Sequence, residues 1–236
     1  MTNEKYYSPH EDAYRKFKER GNYGWHTKEE QEKSFAMLDR ILTAEYYPRT
    51  GKTLELGCGD GEKSLWLATK GYEATGVELS PTAVEWAKEK AKVRGISVRF
   101  FVDDVLHLKT QESDSFDIVL DAECLHCITG AGRAMVLGSV HRVLKPGGIF
   151  LVASMCQPLR NPEGWVKPPM SFDYATGILY SEGKPYRHIG RPEDIMAELG
   201  KAGYELLWHE MEEGKGEGKD QGWDRIRVAA RRRERS

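Results

Sequence analysis

Residues 53–63 read TLELGCGDGEK, and three glycines in that spacing at the end of an apolar run constrain this chain more than any other stretch. A glycine-rich turn after a strand lets backbone come within contact distance of a ligand, because no Cβ intervenes. From Lys52 onward, short β-branched or aromatic runs alternate with amphipathic segments, the pattern of a parallel sheet with crossover helices. The runs at 53–56, 73–78, 97–102, 116–121 and 149–153 read as strands. Ser80-Pro81 offers an N-cap followed by proline at the first helical position, and Gly95 stands where a left-handed C-terminal residue belongs. A second helix is expected from about 133 to 144, with Val136, Leu137, Val140, Val143 and Leu144 on one stripe, stopped by Lys145-Pro146-Gly147-Gly148.

The last third has a different texture. Residues 155–190 are rich in proline, glycine and aromatics and read as an insertion, after which Arg191-Pro192-Glu193-Asp194 opens a further helix ending near Gly203. Closing strands around 204–211 and 225–230 flank GKGEGKDQG, a polar connection suited to an antiparallel hairpin. Residues 1–50 carry Tyr14, Phe17, Tyr23 and Trp25 and read as a helical cap against the main sheet. The expected fold is α/β, a Rossmann-like doubly wound sheet of seven strands, mostly parallel with an antiparallel terminal hairpin strand. It occupies 51–236 as one domain, and 236 residues suffice for a full core.

Charge is nearly balanced, with 35 Lys plus Arg against 37 Asp plus Glu, which argues against an extended nucleic-acid or anionic-membrane surface. Only Arg231-Arg232-Arg233-Glu234-Arg235 is strongly basic, and a short terminal charge run reads as a solvated end. The first 21 residues are charged throughout and lack the apolar core of a signal peptide or membrane span, so a cytoplasmic location is expected. Cys58, Cys124, Cys127 and Cys156 form no disulfide framework in a chain this large, and reduced thiols follow.

Gly57-Cys58-Gly59-Asp60-Gly61 follows one strand, and Glu78 ends the next about 20 residues on, the place for a carboxylate that grips ribose hydroxyls. A dinucleotide fingerprint asks for Gly or Ala where this chain has Glu62. A carboxylate in the first helical turn would also repel a pyrophosphate bound there. A nucleoside ligand without phosphate removes that conflict.

LELGCGDG at 54–61, GVELS at 76–80, FVDDV at 101–105, SFDIVLDAECLH at 115–126 and RVLKPGGIFLVAS at 142–154 come in one order and spacing. Together they resemble the class I S-adenosylmethionine-dependent methyltransferases, with a weaker likeness to small-molecule thiol, halide or metalloid methyltransferases. The resemblance implies S-adenosylmethionine as cofactor. It implies that Gly57, Cys58, Gly59 and Gly61 form the loop at its methionine part, with Glu55 fixing that loop and the amino group. Glu78 would accept from both ribose hydroxyls. Asp104, beside Asp103 and Val105, matches the turn at the adenine, either carboxylate being a candidate for the exocyclic amine. Leu79 and Val105 would sandwich the ring, and Asp121 would face both sulfonium and acceptor.

Methyl transfer is an in-line displacement, so positioning and water exclusion supply much of the catalysis. A thiol acceptor needs little proton removal, whereas an alcohol or ammonium acceptor needs a base. His126 is the candidate, with Asp121 beside it in sequence; a structural role for the imidazole at the start of a helix is the competing reading. Cys124, His126 and Cys127 also suggest thiophilic metal ligands, but no further pair at ligand spacing completes a tetrahedral site. The insertion follows the fifth strand and is expected to form the acceptor wall through Trp165, Phe172, Tyr174, Tyr180, Tyr186, Arg187, His188 and Arg191. Three functions compete: methyl transfer to a small-molecule acceptor, NAD-dependent oxidoreduction, and noncatalytic S-adenosylmethionine binding. Glu62 counts against the second, and a transfer RNA or protein acceptor is an alternative within the first.

Overall fold

In the computed structural model, which describes residues 4–160, 162–214 and 222–234, β1 (Gly51–Leu56) runs parallel to β2 (Tyr72–Glu78), with Leu56 opposite Val77. β3 (Arg99–Val102) lies parallel on the other side of β2. Leu54, Leu56 and Val77 are buried, and each such side chain removed from water contributes about 1.5–3 kcal/mol. The crossovers are α3 (Glu62–Thr69) and α4 (Pro81–Arg94). α4 has the ends read from its sequence: the Ser80 hydroxyl accepts from the Ala83 N–H at 3.1 Å, and Gly95 is left-handed with φ +65°.

These elements belong to one of two units, residues 1–119 and 120–236. The first unit also contains α1 (Glu4–Glu19) and α2 (Lys28–Ile41), the latter opened by a Thr27/Glu30 capping box. The amino-terminal segment was expected against the sheet, but it rests on helices. Tyr14, with Phe17 and Trp25, packs on Ala83 and Trp86 of α4, and Phe35 stacks on Trp66 of α3 with centroids 5.5 Å apart. The reason lies in α4, which carries two apolar stripes. Val84, Ala87 and Ala91 join one cluster with Leu65 and Phe100, while Ala83 and Trp86 are covered by α1.

β4 (Phe116–Ala122) leads into the second unit, followed by a 3-10 turn at Leu125–Cys127, α5 (Gly132–Val143) and β5 (Leu144–Leu159). After α6 (Pro162–Trp165), the strands β6 (Met170–Asp173), β7 (Ile178–Ser181) and β8 (Lys184–His188) form a separate antiparallel sheet. α7 (Pro192–Lys201) then precedes β9 (Tyr204–Glu212) and β10 (Trp223–Arg232). β10 is antiparallel to both β5 and β9, and the main sheet has seven strands in the order β3-β2-β1-β4-β5-β10-β9. One expectation about the strands needs correction. β5 continues to Leu159 rather than ending at 153, because Met155 and Leu159 are buried with Leu179, Ile189 and Trp223. That same cluster backs the sheet of β6, β7 and β8 within the segment read as an insertion. Residues 215–221 of the polar connection lie outside the described residues.

Candidate cofactor and acceptor sites

The glycine loop joins β1 to α3 and is shaped by close approach. Gly61 has φ +83°, and a Cβ added there would stand 2.7 Å from Phe100 Cζ and 2.8 Å from Ala87 Cβ. Gly59 has φ +53°, and its N–H donates to Glu78 Oε2 at 3.1 Å. Glu78 Oε1 accepts from the N–H groups of Leu79 (2.7 Å) and Ser80 (2.9 Å). Three backbone donors therefore fix a buried carboxylate at the end of β2. Burial raises its pKa, the backbone bonds oppose that, and the net direction is upward. Gly57 also has positive φ, +59°.

Cys58 contributes backbone rather than side chain to this loop. Its N–H donates to Val77 O at 2.9 Å, while its thiol is buried with Leu65, Val84 and Phe100. Gly76 is needed beneath it, since a Cβ there would lie 2.7 Å from the Cys58 sulfur. Glu55 is buried at the end of β1 and accepts from the Ser64 hydroxyl at 2.6 Å; burial pushes its carboxyl up to about 7.

Glu62 behaves differently from the sequence argument built on it. It is 2% exposed and receives Lys90 at 2.7 Å, both terminal nitrogens of Arg94 at 2.8 and 2.7 Å, and the Tyr23 hydroxyl at 3.2 Å. Burial works to raise its pKa, but the bonds from Arg94 and Lys90 outweigh that and hold it low. A carboxylate neutralised by two cations repels a phosphate weakly, so Glu62 is a structural ion-pair residue and not the group that excludes a dinucleotide. Asp60, also on Lys90 at 2.5 Å, shares this network.

After β3, the paired aspartates divide their work. Asp103 is buried, and its carboxylate accepts from the N–H groups of Asp104, Lys109 and Thr110 and from the Thr110 hydroxyl. It organises its own turn. Asp104 is half-buried with Oδ1 on Leu106 N at 2.9 Å, Val105 is buried, and Leu79 is half-buried.

In the second unit, Asp121 is fully buried at the end of β4. Its Oδ1 accepts from the N–H groups of Cys124 (3.0 Å) and Leu125 (2.8 Å), and its Oδ2 has no hydrogen-bond partner among the described residues. Burial pushes its carboxyl up to about 7 against those two bonds. His126 is 2% exposed with Nδ1 unpartnered among the described residues, and burial, then the positive charge of Arg187, lowers its pKa to about 3. The turn carrying His126 is anchored by Arg133, which donates to Leu125 O at 2.9 Å and pairs with Glu198 at 2.6 Å. From β8, Arg187 donates to Met155 Sδ at 3.4 Å and lies over the Tyr186 ring at 5.1 Å.

Sequence reasoning missed Glu123 and Tyr14. Glu123 takes up positive φ, +76°, without being glycine, and its carboxylate receives Arg225 from β10 at 2.9 Å. Such strain persists where surroundings over-determine it, often at functional sites. The sequence signal was a second carboxylate in DAECLH, but its arginine lies 102 residues away.

A parallel β-α-β start with a glycine turn, a fixed carboxylate ending the second strand, and an antiparallel carboxyl-terminal strand pair define a Rossmann-like domain that binds a nucleoside cofactor. Residues 53–148 match the family model described as a methyltransferase domain. A ubiquinone biosynthesis O-methyltransferase from Xanthomonas axonopodis is 26% identical over 165 residues, 70% of this chain and 67% of the relative. An uncharacterized methyltransferase from Synechocystis is 35% identical over 121 residues, 51% of this chain and 53% of its own. A 2-heptyl-1-hydroxyquinolin-4(1H)-one methyltransferase from Mycobacteroides abscessus is 32% identical over 103 residues, 43% of this chain and 45% of its own. The chain thus spans about half to two thirds of the length of these curated relatives. In fold it is similar to 1,6-didemethyltoxoflavin-N1-methyltransferase from Burkholderia thailandensis, solved with bound S-adenosylhomocysteine, with TM-score 0.69 and 18% identity over 99% of this chain and 92% of that one. Residues 53–148 are thus similar to a methyltransferase domain, and the fold is similar to that of a solved methyltransferase. The loop fits S-adenosylmethionine as cofactor, since Gly57, Gly59 and Gly61 all have positive φ and leave its backbone bare of side chains, and Glu78 presents a held carboxylate. Among the described residues, no helix is long and apolar enough to cross a membrane.

Proposed function

We propose that the protein transfers a methyl group from S-adenosylmethionine to a small organic acceptor that must lose a proton. The observation carrying this reading is the Glu78 carboxylate, held by Gly59, Leu79 and Ser80 in position to accept ribose hydroxyls. Gly57, Gly59 and Gly61 shape the loop for the methionyl part, with Glu55 behind it and only the backbone of Cys58 taking part. Asp104 and Val105, with Leu79, serve the adenine, while Asp103 supports their turn. When bound, the cofactor supplies an electrophilic methyl carbon on sulfur.

The proton-accepting group is Asp121. A base works best with a pKa near the operating pH, and Asp121, at about 7 with Oδ2 unpartnered among the described residues, meets that condition. His126, lowered to about 3, is neutral across the working range and too weakly basic for the task. It serves to line the site and to hydrogen-bond the acceptor. The acceptor's proton passes to Asp121 Oδ2 as its lone pair takes the methyl group, leaving S-adenosylhomocysteine.

The sheet of β6, β7 and β8 supports a small-molecule wall, and the relatives named for O-methylation in ubiquinone biosynthesis and for a hydroxyquinolone support an acceptor with a ring hydroxyl. Cys58, Cys124, Cys127 and Cys156 form no disulfide among the described residues, which suits a reducing, cytosolic compartment. A screen with radiolabelled methyl donor should show transfer to members of a panel of phenols and hydroxylated heteroaromatics, with little to simple thiols. Label appearing only in transfer RNA or protein would overturn the small-molecule reading.

A further inference from the structure

We infer that Tyr14, on the amino-terminal helix, is a cofactor-binding residue whose hydroxyl donates to the methionyl carboxylate of S-adenosylmethionine. This rests on the reading of the glycine loop as the cofactor's cradle.

Three observations carry it. The Tyr14 hydroxyl lies directly over the loop, where a Cβ added to Gly59 would overlap its oxygen. The ring is fixed from behind by Ala83 and Trp86 of α4 and by Trp25, with centroids 5.1 Å apart, so the hydroxyl is aimed rather than free to swing. One turn earlier on α1, Glu11 accepts from the Ser80 hydroxyl at 2.5 Å and from the Thr82 hydroxyl. α1 is therefore attached both to the glycine turn and to the turn that follows Glu78, the two segments of the cradle.

The chemistry selects the carboxylate. Burial, and then the charges of Glu78 and Asp60, keep the Tyr14 phenol protonated far above neutral pH, so it is a donor. The cofactor's strongest acceptor is its carboxylate, and a hydrogen bond to a charged group is worth more than one to a neutral group.

The test is calorimetry on the full chain with S-adenosylhomocysteine and with 5′-methylthioadenosine, which retains adenosine and sulfur but lacks the amino-acid chain. Tyr14→Phe keeps the ring packing. It should weaken S-adenosylhomocysteine about tenfold or more while leaving 5′-methylthioadenosine within about twofold. Equal losses for both ligands, or no loss for either, would overturn the proposal. A second measurement needs no variant: unaltered protein should bind decarboxylated S-adenosylhomocysteine at least about tenfold more weakly than S-adenosylhomocysteine. Equal binding overturns the role of Tyr14 even if the variant does not fold. Unaltered protein that binds no adenosyl ligand at all would instead bring down the cradle assignment itself.

Discussion

Replacing Asp121 by asparagine is expected to lower turnover by about 10²–10⁴-fold, the usual contribution of a positioned base, while cofactor affinity stays within a few-fold. Asparagine keeps an oxygen for the N–H groups of Cys124 and Leu125, so the turn that Oδ1 organises should persist. The sign of the pH dependence follows from the base needing to be unprotonated. Turnover of the unaltered enzyme should rise with pH through about 7, the position to which burial pushes this carboxyl, and then level off. The Asp121→Asn variant should lack that limb. His126→Gln should keep it, because the imidazole, lowered to about 3, does not titrate in that range. A pH profile of kcat on both variants decides between the two residues. A limb that is lost in His126→Gln and survives in Asp121→Asn would assign the base to the histidine.

A second large effect is expected at Glu78. Removal of the side chain in Glu78→Ala should cost about 2–4 kcal/mol of cofactor affinity, the range for hydrogen bonds to a charged acceptor. Stability should fall as well. The carboxylate receives the N–H groups of Gly59, Leu79 and Ser80, and a buried donor left without a partner costs about 1–3 kcal/mol. Glu78→Gln separates the two effects, since the amide oxygen can still accept from the Oε1 donors while the charge at Oε2 is gone. Thermal unfolding of the Glu78→Gln variant should fall less than that of Glu78→Ala, because only the Gly59 N–H then loses its acceptor, and calorimetry should still show weakened S-adenosylhomocysteine. Unchanged affinity in the Glu78→Ala variant would mean that Glu78 supports the loop alone.

The parts legible in the sequence were those encoded locally. Ser80, Pro81 and Gly95 are neighbours of the helix they bound, and the glycine loop lies between two strands whose apolar runs announce them. β6, β7 and β8 span only 4, 4 and 5 residues, and their order comes from burial against Leu159 and Trp223, which no short window contains. Glu62 was misread for the same reason. Its local position, the first turn of α3, suggests repulsion of a phosphate, but its partners Lys90 and Arg94 lie 28 and 32 residues away. The identity of the candidate base was open because a carboxyl pKa is set by desolvation. Asp121 and His126 look alike as titratable residues in DAECLH until both are seen to be buried, which moves one up and the other down. Tyr14 gave no signal of its own, since it reads as one aromatic among several on an amphipathic helix.

The central claim is that the cradle formed by the glycine loop and Glu78 holds an adenosyl sulfur ligand and not a dinucleotide, and titration calorimetry of the full chain tests it most directly. The match to a methyltransferase domain predicts saturable, one-to-one binding of S-adenosylhomocysteine and S-adenosylmethionine, and much weaker binding of NAD at the same concentrations. Equal binding of NAD, or no binding of either adenosyl ligand at millimolar concentration, would contradict it.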